Sequence, residues 1–227
     1  MDQRFPDEFV TWKHKTPVGV KVCEVFGMDR KSGNVWLEFA RQIYSEQGDS
    51  EYRVIEHFNN GAPYLDNYHG RISLTHTSHF FAVASLPKTP EVDLEYFSPR
   101  AAMGIDAEPL DREQVLKIRS KFLSPDELER IPHDDTKLNI LAWTAKEALF
   151  KAALTPGLDF KENLRLLSLP SLVSDPEKAG NVNLGDALII FPEITGIPAQ
   201  DMKIFSYESY GCCVTIAISP KAAKFGK

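Results

Sequence analysis

The sequence predicts an α+β fold made of two similar halves, and three observations lead to it. Segments typical of strands and of helices do not alternate strictly enough for a doubly wound parallel sheet. Each half contains a strand, at least one helix and then further strands. Each half also ends in an alternating apolar segment closed by a proline, Phe80–Leu86 in the first and Cys212–Ser219 in the second. We therefore predict two α+β halves at residues 1–100 and 101–227.

The strands predicted in the first half share apolar residues that alternate or run together between turn residues. They are Val18–Phe26, Tyr52–Phe58 and Ile72–Leu86. A helix is predicted over Ser32–Glu46, because apolar residues recur there at helical spacing and Ser32 can cap its start. Asn59-Asn60-Gly61 is a strong turn signal.

The second half opens with a short predicted strand at Met103–Asp106. Three helices follow: Asp111–Phe122, a second that starts at Ser124-Pro125, and Lys137–Leu154. Serine at the cap and proline at the first helical position support the second of these. The three strands predicted to close the chain are Asp186–Phe191, Met202–Tyr207 and Cys212–Ile218.

The composition indicates a cytoplasmic protein. Its net charge of -6 argues against a nucleic-acid-binding surface spread over the chain. No segment approaches the roughly 20 apolar residues that a membrane-spanning helix needs, and the N-terminus lacks the layout of a signal peptide. The cysteines, Cys23 and the adjacent Cys212 and Cys213, are predicted to be reduced and buried.

Two carboxylates close the segment Gly104–Glu108. Residues two apart on a strand point to the same face, so Asp106 and Glu108 lie side by side. Two negative charges at such a short separation repel each other, so the pair needs a nearby cation or a shared proton. The pair is therefore a candidate metal or catalytic site, although carboxylates at a strand end are commonly only solvated.

A second candidate cluster lies on the last predicted helix. Trp143, Glu147 and Lys151 recur at every fourth position, which puts a carboxylate and an ammonium on one helix face. An exposed salt bridge would explain that pair alone, but the neighbouring aromatic residues favour the wall of a cleft. Three carboxylates with lysine fit Mg²⁺ and phosphate groups, and so predict phosphoryl or nucleotidyl transfer.

Together these motifs resemble the signature of the 4′-phosphopantetheinyl transferase superfamily. Gly-Ile-Asp-x-Glu begins at Gly104, and Trp-Thr-x-Lys-Glu-Ala-x-x-Lys begins at Trp143. Upstream, Gly61-Ala62-Pro63 is similar to the family's Gly-Lys-Pro element, and Ser73–Thr77 is similar to its Ser-His-Ser element. With the length of the chain, these elements resemble the surfactin-synthetase-activating (Sfp) type.

The resemblance implies two halves related by a pseudo-twofold axis, with coenzyme A in the cleft between them. It implies that Asp106, Glu108 and Glu147 hold Mg²⁺, which also binds the pyrophosphate of coenzyme A. Lys151 is expected to contact the phosphates and to stabilise the departing 3′,5′-ADP. The other residues expected to contact coenzyme A are Thr75, His76, Lys146, Lys13 and Lys15.

The implied activity is that of a holo-[acyl-carrier-protein] synthase. A serine hydroxyl of an apo acyl or peptidyl carrier protein would attack the β-phosphate of coenzyme A. The hydroxyl needs a base, for which Glu147 is our first choice and Glu127 the second. A monomer is expected, because two fused halves supply the cleft.

The chain departs from the family pattern at three positions. Ala62 stands where the family carries lysine, and Thr75 and Thr77 replace serines. Two alternatives stay open at this point. One is a Mg²⁺-dependent nucleotide hydrolase that uses the same three carboxylates, and the other is a non-catalytic relative that binds coenzyme A or a carrier protein.

Overall fold

A computed structural model defines the fold, which is mixed α+β. It describes residues 10–27, 55–65, 70–87, 103–176 and 183–221. The helix predicted over Ser32–Glu46 lies outside the described residues. No helix within those ranges is long and apolar enough to cross a lipid bilayer.

The first half of the chain forms an antiparallel sheet and a small hairpin. Its strands are β1 (Val10–Lys15), β2 (Lys21–Phe26), β3 (Glu56–His57), β4 (Pro63–Tyr64), β5 (Gly70–His76) and β6 (Phe80–Pro87). The sheet has the order β1-β2-β6-β5, and β3 pairs with β4. The predicted turn at Asn59-Asn60-Gly61 joins β3 to β4, and Gly61 lies in the left-handed region at φ +82°.

Three predictions for this half need correction. Of the strand predicted over Tyr52–Phe58, only Glu56–His57 is a strand among the described residues, and residues 52–54 lie outside them. The strand predicted from Val18 begins only at Lys21, because a turn closed by the Thr16 N–H and the Val20 carbonyl precedes it. The strand region predicted over Ile72–Leu86 is two strands, because the chain reverses where the Thr77 N–H donates to the Phe80 carbonyl.

The second half forms a sheet covered by helices. Its elements are β7 (Met103–Pro109), α1 (Gln114–Phe122), α2 (Pro125–Arg130), α3 (Thr136–Ala153), β8 (Leu164–Leu166), β9 (Leu172–Val173), β10 (Gly185–Ile189), β11 (Gln200–Ser209) and β12 (Cys212–Ile218). The sheet order is β7-β12-β11-β10-β8, and β9 pairs with β11 in parallel. The three predicted helices and the three predicted closing strands are confirmed.

Local signals explain where the helices begin and end. Ser124 and Glu127 form a capping box at the start of α2, with Pro125 in its first turn. The Asp135 side chain accepts a hydrogen bond from the Leu138 N–H at the start of α3. Helix α3 ends at Ala153, and the next residue, Leu154, caps it in the left-handed conformation.

The second sheet lies between two apolar cores, and β12 shows this best. Cys213 and Ala217 pack in the core beneath the helices. Val214 and Ile216, on the opposite face, pack in a core shared with the first sheet. The architecture is therefore three layers, with helices, the second sheet and the first sheet in that order. All three cysteines are free and buried, which confirms that prediction.

Candidate active site

The polar face of β7 lies against α3, and glycine makes this approach possible. Met103, Ile105 and Ala107 point into the core shared by the two sheets. Gly104 points the other way, where a Cβ atom would lie 2.2 Å from the Ala148 carbonyl oxygen of α3. Only glycine fits this close contact, which explains the first residue of the Gly-Ile-Asp-x-Glu motif.

The carboxylates of β7 meet the predicted face of α3. Lys151 Nζ donates to Asp106 Oδ1 at 2.7 Å, and Trp143 Nε1 donates to Glu108 Oε1 at 3.1 Å. Strand and helix therefore run antiparallel, and Glu147 lies on α3 between the two contacts. Both predicted groupings, the carboxylate pair and the four-residue helix stripe, are brought together here.

Negative charge is crowded in this cluster. Burial first, and then the charge of Asp106, raise the pKa of Glu147 to about 7, while Lys151 opposes the shift. The pKa of Asp106 is also raised, because burial outweighs the effect of the Lys151 ammonium. Glu108 is bound by the Arg112 guanidinium as well as by the indole.

This donor set fits a hard divalent cation. Mg²⁺ prefers carboxylate oxygens, and a cation beside these carboxylates would favour their ionised forms against the burial and the mutual repulsion that raise their pKa values. Within the described ranges, however, no three His, Cys, Asp or Glu side chains are gathered closely enough to hold a metal ion. Lys151 and Arg112 instead supply the positive charge next to Asp106 and Glu108.

A cavity of about 560 Å³ lies beside these carboxylates. Its walls come from β5, the β3–β4 hairpin and the C-terminal end of α3. Asp106, Lys151, Thr75 and His76 line it, so the structure brings together four of the predicted site residues. Further lining residues include His57, Asn60, Ala62, Phe150 and Leu154.

The two predicted residues of β5 differ in what they contact. The Thr75 hydroxyl donates to Asp106 Oδ1 at 3.1 Å and accepts from the Ala107 N–H at 3.0 Å. His76 is exposed and packs beside the Phe81 ring. Thr75 therefore holds a carboxylate, whereas His76 presents its imidazole to the cavity.

The hairpin that closes the cavity is held by a side chain of its own turn. Asn60 Oδ1 accepts from the Ala62 N–H at 3.1 Å, which fixes the backbone after Gly61. Ala62, the residue in place of the family lysine, is buried and lines the cavity. No ligand-binding role was predicted for His57 or Asn60, because only the fold brings them to the cavity.

Three predicted site residues, Lys146, Glu127 and Lys15, are not part of this cluster. Lys146 and Glu127 are fully buried side chains that bind each other at 2.6 Å, inside the protein. Neither can reach a ligand in this conformation, so we do not carry them into the proposed site. Lys15 lies on β1 and is exposed, but it does not line the cavity. The side chain of Lys13, also on β1, lies outside the described residues.

Comparison with protein-family models bears on the segment that carries both motifs. Residues 102–190 match the model of the 4′-phosphopantetheinyl transferase superfamily. The matched segment spans β7, the three described helices and β10. It therefore includes Asp106, Glu108 and Glu147. A search of curated proteins finds no match.

The superfamily match bears out the resemblance of the two motifs for this segment. The name of that superfamily describes phosphopantetheine transfer, and the match covers residues 102–190 of the 227-residue chain. The β3–β4 hairpin and β5 lie outside the matched segment. The Sfp type, which the sequence predicts partly from those elements, stays a prediction.

Proposed function

We propose that this protein transfers the 4′-phosphopantetheine group of coenzyme A to a serine of an apo acyl or peptidyl carrier protein. The observation that carries the proposal is the meeting of both superfamily motifs at one cavity. Asp106 and Lys151, one from each motif, touch each other in its wall. The cavity volume of about 560 Å³ is in the usual range for cofactor and substrate sites.

Coenzyme A is proposed to lie in this cavity. His76 and His57 line the cavity, and their imidazole N–H groups are proposed to donate hydrogen bonds to the phosphate groups of coenzyme A. Phe150 and Leu154 offer apolar surface for the less polar parts of the ligand. Ala62 stands where the family pattern has a lysine, so this wall of the cavity has one positive charge fewer. Phosphate binding therefore depends more strongly on the two histidines.

The residues proposed to hold Mg²⁺ are Asp106, Glu108 and Glu147, whose side chains would have to move closer together than they lie in this structure. When bound, the cation would neutralise phosphate oxygens and so favour attack on phosphorus. Trp143 and Thr75 hold Glu108 and Asp106 in place by hydrogen bonds.

Glu147 is the proposed base. It is half-buried and close enough to Asp106 and Glu108 for their charges to raise its pKa, and a carboxylate there can accept the proton of an incoming serine hydroxyl. The carrier protein would approach over α1, where Lys117 and Lys121 are exposed. Arg112 and Arg119 of the same region are engaged with Glu108 and with Asn139.

Mass spectrometry of an apo carrier protein tests the proposal. We expect incubation with coenzyme A and Mg²⁺ to add the mass of one phosphopantetheine group, and EDTA to abolish the addition. Glu147→Gln should abolish it as well, whereas Glu129→Gln, at an exposed position of α2, should not.

Two other results would contradict the proposal. Release of 3′,5′-ADP without modification of any acyl or peptidyl carrier protein would indicate the nucleotide hydrolase. Binding of coenzyme A that is equally tight with and without Mg²⁺, together with no transfer, would indicate the non-catalytic relative.

A further inference from the structure

Strands β5 and β7 face each other without forming a ladder. Among the described pairings, β5 is the last strand of the first sheet and β7 is the first strand of the second. Residues of the two strands nevertheless lie close together along their length. A strand at a sheet edge exposes main-chain N–H and C=O groups that need partners when they are buried.

Side chains supply these partners. The N–H of Ile105 donates to Ser73 Oγ at 3.1 Å, and the N–H of Ala107 donates to Thr75 Oγ1 at 3.0 Å. Both hydroxyls belong to β5 and are buried. Alternate N–H groups of β7 are therefore bound across the junction by hydroxyl groups, which replace the carbonyls of an ordinary ladder.

Lys151 supplies the complementary donors. Its ammonium donates to the Leu74 carbonyl of β5 at 3.1 Å and to the Ile105 carbonyl of β7 at 3.0 Å. The third bond goes to Asp106 Oδ1 at 2.7 Å. A lysine ammonium has three N–H donors, and these three bonds use all of them.

We infer that Lys151 is a positioning residue that joins the two sheets at this junction and fixes the direction of the Asp106 carboxylate. A phosphate could take an N–H of Lys151 only by displacing one of its three protein acceptors. The inference therefore differs from the role that the family resemblance implies for this lysine. It concerns the ligand-free protein and does not depend on which reaction the site performs.

Gly104 is the local reason that Lys151 can reach across. The position of its missing Cβ lies 3.1 Å from the Lys151 Cβ atom and 2.7 Å from the Ala152 nitrogen. Helix α3 thus lies close enough to β7 for a lysine stem to pass over it and end at β5. The side chain of Lys151 is only 29% exposed, and its bonds to the Leu74 and Ile105 carbonyls hold its ammonium in the junction.

Amide hydrogen exchange of the ligand-free protein in EDTA tests the junction. In Lys151→Met, the amides of Ile105 and Ala107 should exchange at least about tenfold faster than in the wild type. The matched control is Lys137→Met, an exposed lysine at the start of the same helix, which should leave both amides unchanged. Unchanged exchange at both amides in folded Lys151→Met would overturn the inference.

Lys151→Arg covers the case in which the methionine variant does not fold. Arginine keeps the positive charge and binds phosphate well, but its planar fork does not reproduce three bonds from one compact ammonium. We expect the same two amides to exchange faster in this variant. Wild-type exchange in Lys151→Arg would also overturn the inference.

A double-mutant cycle tests whether Lys151 acts through Asp106, and this arm rests on the proposed function. The measured quantity is the Kd for coenzyme A with Mg²⁺ in Asp106→Asn, Lys151→Met and the double variant. A positioning role predicts that the double variant binds within about twofold of Asp106→Asn alone. A full additional loss from Lys151→Met in the Asp106→Asn background would show a direct phosphate contact and contradict the inference. If the wild type binds no coenzyme A, the proposed function fails, and the exchange experiment still decides the inference.

Discussion

The buried pair of Lys146 and Glu127 allows a sharp test of a structural role against a catalytic one. Besides Glu127, the Lys146 ammonium donates to the carbonyls of Phe160 and Leu164 at 2.7 and 2.6 Å. All three of its N–H groups are therefore used inside the protein. We predict that Lys146→Met strongly destabilises the fold.

The magnitude follows from what the substitution leaves behind. Glu127 would remain as a buried carboxylate that accepts only the N–H groups of Ser124 and Leu166. Removing one partner of a buried ion pair costs about 3–5 kcal/mol, because the other charge stays uncompensated. This is a large part of the roughly 5–15 kcal/mol that stabilises a typical domain. In thermal melting the loss corresponds to a decrease in Tm of roughly 6–20 °C.

Urea denaturation, followed by tryptophan fluorescence, measures this loss. Lys137→Met is again the control, because its exposed side chain on the same helix should change the free energy of unfolding by less than about 0.5 kcal/mol. Replacing both partners, in Lys146→Met with Glu127→Leu, should recover part of the stability, since no charge is then left unpaired.

A Lys146→Met variant with wild-type stability would refute this reasoning. The same is true of Glu127→Gln if it keeps the wild-type midpoint of denaturation and loses only transfer activity. That second result would restore the catalytic role that the sequence predicted for Glu127.

Three further changes test the site. Gly104→Ala should lower the free energy of unfolding by about 1–3 kcal/mol, since its Cβ would lie 2.2 Å from the Ala148 carbonyl oxygen; an unchanged urea midpoint would contradict this. Glu147 has a native pKa of about 7 against an ordinary 4.5. Between these two pH values the native state keeps a proton that the unfolded state has lost, so the free energy of unfolding falls as the pH rises through this range. After allowance for its partial exposure, Glu147→Gln in EDTA should therefore raise the free energy of unfolding by about 1–2 kcal/mol near pH 8 and leave it unchanged near pH 4; an equal effect at both pH values would refute the shift. Trp143→Phe removes the 3.1 Å hydrogen bond to Glu108 but keeps an aromatic ring at this position. Transfer by this variant should therefore need about 10–100-fold more Mg²⁺ for half-maximal activity, with little change in Tm.

The parts of the site that the sequence predicted are those set by local periodicity. Strand alternation placed Asp106 and Glu108 on one face, and helical spacing placed Trp143, Glu147 and Lys151 on another. Both faces are intact in the structure, where they meet. The start of α2 was also predictable, because Ser124 and Glu127 act within a single turn. Helix α1 begins at Gln114, three residues after the predicted Asp111, and no side chain caps it.

What the sequence did not predict depends on what covers each face. Lys146 precedes Glu147, but the helix turns it towards the interior. Because lysine is seldom fully buried, nothing in the residue type predicts this position. Strands β8 and β9 were missed because three and two residues are too few to show a period. Strand β1 was missed because Val10–Lys15 mixes lysines with apolar residues.

The junction between β5 and β7 also bears on solubility. Open strand edges recruit strands from other molecules, and natural proteins commonly protect them with charge, bulges or cover. Here each edge protects the other, with Ser73, Thr75 and Lys151 occupying groups that a foreign strand would need. Conditions or substitutions that separate the two sheets would open the core that they share and expose two complementary strand edges at once, so loss of this contact should be followed by domain swapping or aggregation.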